Sequence, residues 1–315
     1  MNRIALVFPG QGAQYVGMGK ELASRYAEAR QVFEEADDAL GFRLSELCFQ
    51  GSAEDLALTQ NTQPAVLTVS VAVFRVLESM GMQPSIVAGH SLGEYSALVA
   101  AGCLGFSQAV RLVRRRGELM QAAVPPGVGA MAAIVGLGRI DVVRCCEDAR
   151  NSGAGDVNAA NFNAPDQVVI SGETGAVRVA GELCSRAGAR RVIPLRVSGP
   201  FHSKLMTSAS SAFEAELRGV DLGTPAVPVV CNVTGRASCD ADELREMLVK
   251  QMSSPVLWEE SVRYMWETGA RAFVEAGPGK TLTGLVRRIV PEAQAVAAEA
   301  SAPMEDALEF IKGVR

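Results

Sequence analysis

The sequence predicts an α/β fold in which a large domain with a parallel sheet carries an inserted, ferredoxin-like small domain. Short apolar runs alternate with helical patterns along most of the chain, as expected for a parallel sheet with helices on both faces. The middle of the chain changes to the order β-α-β-β-α-β, a complete ferredoxin-like unit. Pro125-Pro126-Gly127 and Ser198-Gly199-Pro200 flank that unit with residues typical of boundaries. We therefore predict a large domain of residues 1–127 and 198–315 and an insert of residues 128–197.

The elements of the large domain follow from local hydrophobic patterns. Residues 4–8 form an apolar run closed by Pro9-Gly10, and residues 85–88 form a second run that ends at Gly89. Both runs have the length and composition of buried strands. The remaining patterns predict helices at 15–40, 63–80, 92–101, 107–124 and 203–218, strands at 227–231 and 271–275, and a short amphipathic helix at 305–312.

The elements of the insert follow in the same way. Its apolar runs are separated by two helical patterns and by a loop that contains Asn-Ala-Pro. These patterns predict strands at 130–135, 156–160, 166–171 and 191–197, with helices at 139–151 and 174–187.

The composition excludes several classes of protein. Lys and Arg number 30 against 35 Asp and Glu, a formal charge of −5, so no global basic field attracts nucleic acid. No apolar run approaches the ~18 residues of a membrane span. The chain has seven cysteines, an odd number, and no CxxC motif. This pattern indicates reduced thiols in the cytoplasm. We therefore expect a cytoplasmic protein without nucleic-acid or membrane partners. A monomer is also expected, although none of these observations bears on the oligomeric state.

Ser91 is the first candidate for chemistry. It is the serine of Gly89-His90-Ser91-Leu92-Gly93, which fits the G-x-S-x-G pattern and lies between a predicted strand and a predicted helix. Small residues on both sides allow a sharp turn that exposes the hydroxyl beside the N–H groups of the helix N-terminus. The alternative is an incidental match at a glycine-rich turn.

His202 is the better of the two candidate bases. The chain has only two histidines, and His90 is adjacent to Ser91 at a turn where neighbouring side chains point apart. His202 precedes a predicted helix, where the helix dipole favours the neutral imidazole. No Asp or Glu between Ser91 and His202 stands out, so a Ser-His dyad oriented by a main-chain carbonyl is the simplest interpretation. The alternative is a helix-capping histidine without chemistry.

Arg116 lies where an apolar residue is expected. The helix at 107–124 has an apolar stripe whose spacing includes position 116, next to Gly117, which allows close approach. A buried guanidinium needs an anionic partner. That partner is either a structural Asp or Glu, or a substrate carboxylate held by two hydrogen bonds.

Several motifs together resemble those of the malonyl-CoA:acyl-carrier-protein transacylases and the related acyltransferase domains of polyketide synthesis. The resemblance covers nearly the whole chain, and the motifs occur in the family's order. They are Phe8-Pro9-Gly10-Gln11-Gly12, Thr62-Gln63-Pro64-Ala65, Gly89-His90-Ser91-Leu92-Gly93-Glu94, Arg116-Gly117-Glu118-Leu119-Met120-Gln121, Asn161-Phe162-Asn163, Gly199-Pro200-Phe201-His202-Ser203 and Gly277-Pro278-Gly279.

The resemblance implies an α/β-hydrolase-like large domain and a role for each motif residue. Ser91 carries the acyl ester, and His202 is its base, oriented by the main-chain carbonyl of Gln251. The N–H groups of Gln11 and Leu92 form the oxyanion hole, and Arg116 holds the malonyl carboxylate. The implied substrates are malonyl-CoA and acyl carrier protein, with no metal or redox cofactor.

Three other functions remain open at this stage. A trans-acting acyltransferase of polyketide synthesis would use the same chemistry. A serine thioesterase or hydrolase would share Ser91 and His202, but it has no reason to place Arg116 on an apolar stripe. A non-catalytic module that binds carrier protein would not need an intact pair of Ser91 and His202. Carrier proteins are typically acidic, so docking would use a local basic patch, with candidates at Lys204, Arg190-Arg191 and Arg287-Arg288.

Overall fold

The computed structural model describes residues 3–299 and 301–314. In these residues the strands are β1 (Arg3–Phe8), β2 (Ile86–Gly89), β3 (Gly129–Val135), β4 (Val157–Ala164), β5 (Gln167–Glu173), β6 (Arg191–Pro194), β7 (Val229–Val230), β8 (Ala237–Ser238), β9 (Ala270–Ala276) and β10 (Gln294–Ala298). The helices are α1 (Lys20–Arg25), α2 (Ala27–Leu40), α3 (Leu44–Gln50), α4 (Ala53–Ala57), α5 (Thr59–Ser79), α6 (Gly93–Ala100), α7 (Phe106–Ala122), α8 (Arg139–Asn151), α9 (Thr174–Arg186), α10 (Thr207–Arg218), α11 (Ala241–Gln251), α12 (Trp258–Glu267), α13 (Thr281–Ile289) and α14 (Ser301–Val314).

The larger sheet has six strands in the order β10-β9-β1-β2-β7-β8. Every pair is parallel except the edge pair β7 and β8. Its central strands are buried on both faces, which explains why β1 and β2 are continuously apolar rather than alternating. Phe8 pairs with Gly89, so the loops that follow β1 and β2 leave the same edge of the sheet side by side. Ligands of open α/β sheets bind at this carboxyl edge.

The smaller sheet is antiparallel and has the order β4-β5-β3-β6. Alternate residues of its strands face opposite sides. Ala132 and Ile134 pack with α8 and α9, whereas Met131 and Ala133 pack against the core of the larger sheet. Strand order and helix placement are those of a ferredoxin-like unit, which confirms the predicted fold class. The domain limits at 127/128 and 197/198 stay a prediction.

Several elements differ from their predicted limits. The helix predicted at 15–40 is divided at Tyr26, whose backbone is extended, into α1 and α2. The strand predicted at 191–197 ends at Pro194, since proline has no N–H to donate to the sheet. The strand predicted at 227–231 has only two residues, and the C-terminal helix is longer than the predicted 305–312. Strands β8 and β10 were not among the predicted elements.

Candidate active site

Ser91 lies on a sharp turn between β2 and α6. Its backbone is left-handed, with φ of 51°, a conformation that L residues adopt at a cost. A Cβ at Gly89 would collide with the main chain of Gly93, and one at Gly93 would collide with the carbonyl of Phe8. Only glycine therefore allows the turn to close this tightly against β1, and the closure lifts the Ser91 hydroxyl out of the sheet.

Asn232, two residues after the end of β7, fixes the turn from outside. Its Oδ1 accepts a hydrogen bond of 2.6 Å from the Ser91 N–H, and its Nδ2 donates one of 2.6 Å to the carbonyl of Gly89. The side chain is buried. One amide thus satisfies a donor and an acceptor of the strained turn.

His202 meets Ser91 from the segment between β6 and α10. The Ser91 hydroxyl donates to Nε2 of His202 over 2.7 Å. Nδ1 lies 2.9 Å from the carbonyl oxygen of Gln251 and 3.2 Å from that of Ser254. Carbonyls only accept, so Nδ1 carries the proton and Nε2 presents its lone pair to the serine. This is the arrangement that a base requires.

Burial is the main influence on the protonation of His202. Loss of hydration, followed by the nearby charge of Arg116, lowers the pKa of His202 to about 3. The imidazole is therefore neutral at physiological pH. A proton taken from Ser91 would be held only as long as negative charge develops nearby, which suits transient proton transfer.

Arg116 lies in the interior, 1% exposed, with its guanidinium beside the serine. Nη2 lies 3.3 Å from the Ser91 Oγ and donates to Gln251 Oε1 at 2.8 Å, while Nη1 donates to Gln63 Oε1 at 2.8 Å. Within residues 3–299 and 301–314 no carboxylate forms an ion pair with this guanidinium, which disfavours the structural ion pair. The nearest polar groups are neutral, and a carboxylate arriving in the cavity would be its first direct anionic contact.

Gln251, at the end of α11, forms hydrogen bonds with both His202 and Arg116. Its main chain accepts from His202 and its side-chain oxygen accepts from Arg116. Its side-chain NH2 donates to the Ser91 carbonyl at 2.9 Å and to Glu94 Oε2 at 2.7 Å. The sequence-based prediction concerned only the main-chain carbonyl.

Gln11 and Leu92 line the same cavity as Ser91. Gln11 follows β1, and its side chain donates to Thr59 Oγ1 at 3.1 Å. Leu92 immediately precedes α6. In the described parts of the chain, neither main-chain N–H has a backbone acceptor. Two such N–H groups beside Ser91 are what an oxyanion hole would require, and their role stays a prediction.

A cavity of about 390 Å³ contains these groups and lies between the two sheets. The large domain contributes Ser91, Arg116 and the loop after β1, while the insert contributes apolar and amide side chains from β3, β4 and β5. The residues that line it from the insert include Met131, Ala133, Asn161, Asn163, Gln167 and Val169. The volume suits a small acyl group with part of its carrier.

His90 points away from Ser91 and toward the insert. Its Nε2 donates to Asn163 Oδ1 at 2.8 Å, and its ring packs 5.7 Å from that of Trp258. Burial lowers the pKa of His90. In the described residues His202, and not His90, forms a hydrogen bond with the Ser91 hydroxyl.

Sequence reasoning missed four residues of the site, namely Glu94, Asn232, Gln63 and Asn163. Glu94 had a usable signal, because a charged residue in the first turn of a wholly buried helix needs a reason. Asn232 follows a buried strand at the carboxyl edge of the sheet, which was a second signal. Gln63 and Asn163 occurred only within motifs that were quoted for the resemblance.

The described residues contain neither a membrane-length apolar helix nor a metal-ligating cluster. No described helix has the length and hydropathy needed to cross a membrane. Among the same residues, His, Cys, Asp and Glu side chains form no group of three or more that could hold a metal ion.

The chain resembles known proteins over its full length. The profile of the acyl transferase domain matches residues 5–311. The malonyl CoA-acyl carrier protein transacylase of Escherichia coli strain K12 is 48% identical over 98% of this chain and 100% of the relative. A crystal structure of an acyl carrier protein S-malonyltransferase from Vibrio cholerae has 46% identity and a TM-score of 0.94, covering 97% of this chain and 99% of the other.

A further solved structure contains a carrier protein. It is described as a type II polyketide synthase acyl carrier protein in complex with its malonyl-transacylase. Identity is 46% and the TM-score 0.95, over 98% of this chain and 99% of the other. The α/β fold with its additional antiparallel sheet is shared with these two transacylase structures, and together with the matching family profile it places the chain in the class of acyltransferases. The chain belongs to the acyl transferase family and, within it, to the malonyl-CoA:acyl-carrier-protein transacylases.

Proposed function

We propose that this chain transfers a malonyl group from malonyl-CoA to the phosphopantetheine thiol of acyl carrier protein, through an ester on Ser91. The observation that carries the proposal is the Arg116 guanidinium, whose Nη2 lies 3.3 Å from the Ser91 Oγ. A cation beside the nucleophile suits an acyl group that ends in a carboxylate. An acyl group without a carboxylate has no anionic group with which the guanidinium could pair.

The first half-reaction moves the malonyl group onto the enzyme. The malonyl carboxylate binds Arg116, and the thioester carbonyl approaches Ser91. His202 takes the Ser91 proton on Nε2 while Oγ forms a bond to the carbonyl carbon. The N–H groups of Gln11 and Leu92 stabilise the oxyanion. The C–S bond then breaks, and the proton on His202 goes to the departing CoA thiolate.

The second half-reaction is the reverse with a new thiol. The phosphopantetheine thiol gives its proton to His202 and attacks the malonyl ester. The C–O bond to Ser91 breaks, and the serine oxygen takes the proton from His202. The malonyl carboxylate also offsets the charge of Arg116, whose field lowers the pKa of His202. Substrate binding therefore strengthens the base when it is needed.

We also propose that the chain works as a monomer in the cytoplasm, without a metal or redox cofactor. Support for the compartment comes from its cysteines, which are all free thiols and, except for Cys239, buried. The chemistry needs only Ser91, His202, Arg116 and main-chain N–H groups.

Intact mass spectrometry after incubation with malonyl-CoA tests the proposal. We expect one malonyl group on wild type and none on Ser91→Ala, which lacks only the hydroxyl. Addition of holo carrier protein should remove the group and malonylate the carrier. A serine hydrolase would instead lose the acyl group to water at the same rate without carrier protein.

A further inference from the structure

Glu94 is a buried carboxylate to which the steps above give no part. It lies in the first turn of α6 and is 1% exposed. Its Oε2 accepts two hydrogen bonds, from the Gln251 side-chain NH2 at 2.7 Å and from the Asn232 main-chain N–H at 3.1 Å. Buried acids are uncommon because hydration of the charge is lost, so this one must contribute something in return.

The two partners of Glu94 both reach the site. Asn232 binds the main chain on each side of Ser91. Gln251 accepts from Nη2 of Arg116 through Oε1. Glu94 is therefore linked to the Arg116 guanidinium through the Gln251 amide, and to the turn at Ser91 through Asn232.

The side-chain amide of Gln251 could adopt either of two orientations, related by exchange of its oxygen and NH2, unless its hydrogen-bond partners select one. On one side lie two acceptors, Glu94 Oε2 and the carbonyl of Ser91, and on the other lies the donor Arg116. Only one orientation, with NH2 toward Glu94 and oxygen toward Arg116, satisfies all three. Without the acceptor at position 94, the amide NH2 keeps only the Ser91 carbonyl, and the oxygen that orients Arg116 is held less firmly.

We propose that Glu94 is a positioning residue that sets the orientation of the Gln251 amide and, through it, holds the Arg116 guanidinium for the substrate carboxylate. This inference rests on the proposed function, since it concerns recognition of the malonyl group. Glu94 does not touch the substrate. It acts as a hydrogen-bond acceptor, through the single oxygen Oε2.

The acceptor role is compatible with either protonation state. Burial raises the pKa of Glu94 to about 7, while the bonds from Gln251 and Asn232 oppose the rise. Because both hydrogen bonds go to Oε2, a neutral acid protonated on Oε1 keeps them. A glutamine at this position can place its carbonyl oxygen at the same point, whereas methionine has the same length and no comparable acceptor.

The matched pair Glu94→Met and Glu94→Gln tests the inference. We expect Glu94→Met to lower acylation of Ser91 by malonyl-CoA on the order of 10²-fold, and Glu94→Gln to stay within about tenfold of wild type. Acylation by acetyl-CoA, which has no carboxylate for Arg116, should differ only a few-fold between the two variants. An equal loss of malonyl acylation in Glu94→Met and Glu94→Gln would overturn the acceptor role. A Glu94→Met variant that loses acylation by malonyl-CoA and by acetyl-CoA equally would make Glu94 a structural residue.

Gln251→Met supplies the second arm, since it removes the amide but keeps the main-chain carbonyl for His202. If Glu94 acts through Gln251, the double variant Glu94→Met with Gln251→Met is no slower with malonyl-CoA than Gln251→Met alone. Losses that multiply would contradict the coupling. The double variant removes the Gln251 NH2 together with its acceptor, but the Asn232 N–H and Arg116 Nη2 each lose an acceptor, so urea unfolding of every variant accompanies the kinetics. If Glu94→Met unfolds, Glu94→Gln with Gln251→Met replaces it in the comparison.

A serine-reactive fluorophosphonate separates this inference from the proposed function. A wild-type chain that is labelled on Ser91 but takes no malonyl group would contradict malonyl transfer. If wild type is malonylated and Glu94→Met is malonylated at the same rate, only the role of Glu94 is contradicted.

Discussion

Ser91 and His202 both have left-handed backbones, with φ of 51° and 59°, and their side chains meet at 2.7 Å. They are the two non-glycine residues with positive φ in the described parts of the chain. Such conformations persist only where the surroundings over-determine them, and they concentrate at functional sites. Here the Asn232 amide holds one backbone, and the hydrogen bond from the His202 N–H to the Met252 carbonyl at 3.2 Å holds the other.

The first prediction concerns this pair. Ser91→Ala should abolish acylation, and His202→Ala should slow acylation by malonyl-CoA by several orders of magnitude, because nucleophile and base act as a unit. Rapid-quench measurement of acyl-enzyme formation checks both variants. A His202→Ala variant that acylates at near the wild-type rate would show that the dyad assignment is wrong.

The fold could be predicted from the sequence, and Ser91, His202 and Arg116 could each be singled out, because the signals are local. A strand, a tight glycine turn and a helix are consecutive around Ser91, and the apolar stripe of one helix was enough to make Arg116 anomalous. The partners of these residues were not predictable. Asn232 reaches the turn from 141 residues away and binds main-chain groups, which have no side-chain signature in the sequence. Glu94 is the last residue of the motif quoted around Ser91, but the contact that gives it a role is with Gln251, 157 residues further along.

The second prediction links His202 to acid stability. The unfolded imidazole takes up a proton near pH 6.5, whereas the folded one resists until about pH 3. As pH falls below 6.5, the unfolded state binds a proton that the folded state does not, so the free energy of unfolding falls. At pH 5 this loss amounts to about 2 kcal/mol.

Urea unfolding of wild type and His202→Asn at pH 8 and pH 5 measures this loss. Between the two pH values wild type should lose about 2 kcal/mol more than the variant, which has no imidazole to protonate. His90 and Glu94 titrate in both proteins and cancel from the comparison. Equal losses in the two proteins would mean that His202 titrates alike in the folded and unfolded states.

The third prediction concerns Asn232. Asn232→Ala removes the partners of the Ser91 N–H and the Gly89 carbonyl, so we expect acylation by malonyl-CoA and by acetyl-CoA to fall together, about 10- to 100-fold. The free energy of unfolding should fall by about 1–3 kcal/mol, because buried main-chain groups lose their hydrogen bonds. Asn151→Ala, on the exposed end of α8, is the matched control. A loss confined to malonyl-CoA would assign Asn232 to carboxylate recognition instead.

The fourth prediction concerns carrier-protein docking. Of the candidate basic residues, Arg190 and Arg288 pair with Asp166, and Arg287 donates to the carbonyl of Ala295. Lys204 and Arg191 are exposed, and no ion pair joins either one to a described carboxylate. They are therefore the better candidates for binding an acidic partner.

Lys204→Glu and Arg191→Glu should raise the apparent Michaelis constant for carrier protein several-fold and leave that for malonyl-CoA unchanged. The effect should shrink as salt is added, because exposed charges are screened. Arg144→Glu is the control, since α8 covers the face of the insert opposite the cavity. Equal changes for both substrates, or an equal change in the control, would contradict a docking patch here.

The last prediction concerns Arg116 and separates a malonyl transferase from other serine acyl enzymes. Arg116→Ala removes a charge-assisted contact worth roughly 2–5 kcal/mol in a desolvated site. Malonyl transfer should then fall on the order of 10²–10³-fold. Acetyl transfer should hold steady or rise, because the acetyl group leaves the wild-type guanidinium unpaired. Arg116→Lys keeps the charge but not the two-pronged geometry, so it should recover malonyl transfer only in part.

The stability of Arg116→Ala shows whether Arg116 is buried for a structural reason or in order to bind the substrate carboxylate. Truncation leaves the oxygens of Gln63 and Gln251 without a donor, but it also removes a guanidinium that is buried without a direct anionic partner. These two changes oppose one another, so we expect the thermal unfolding midpoint to move by only a few degrees. An Arg116→Ala protein that unfolds far earlier and loses malonyl and acetyl transfer alike would make Arg116 a structural residue. Selection for the malonyl carboxylate would then have to come from another group in the cavity.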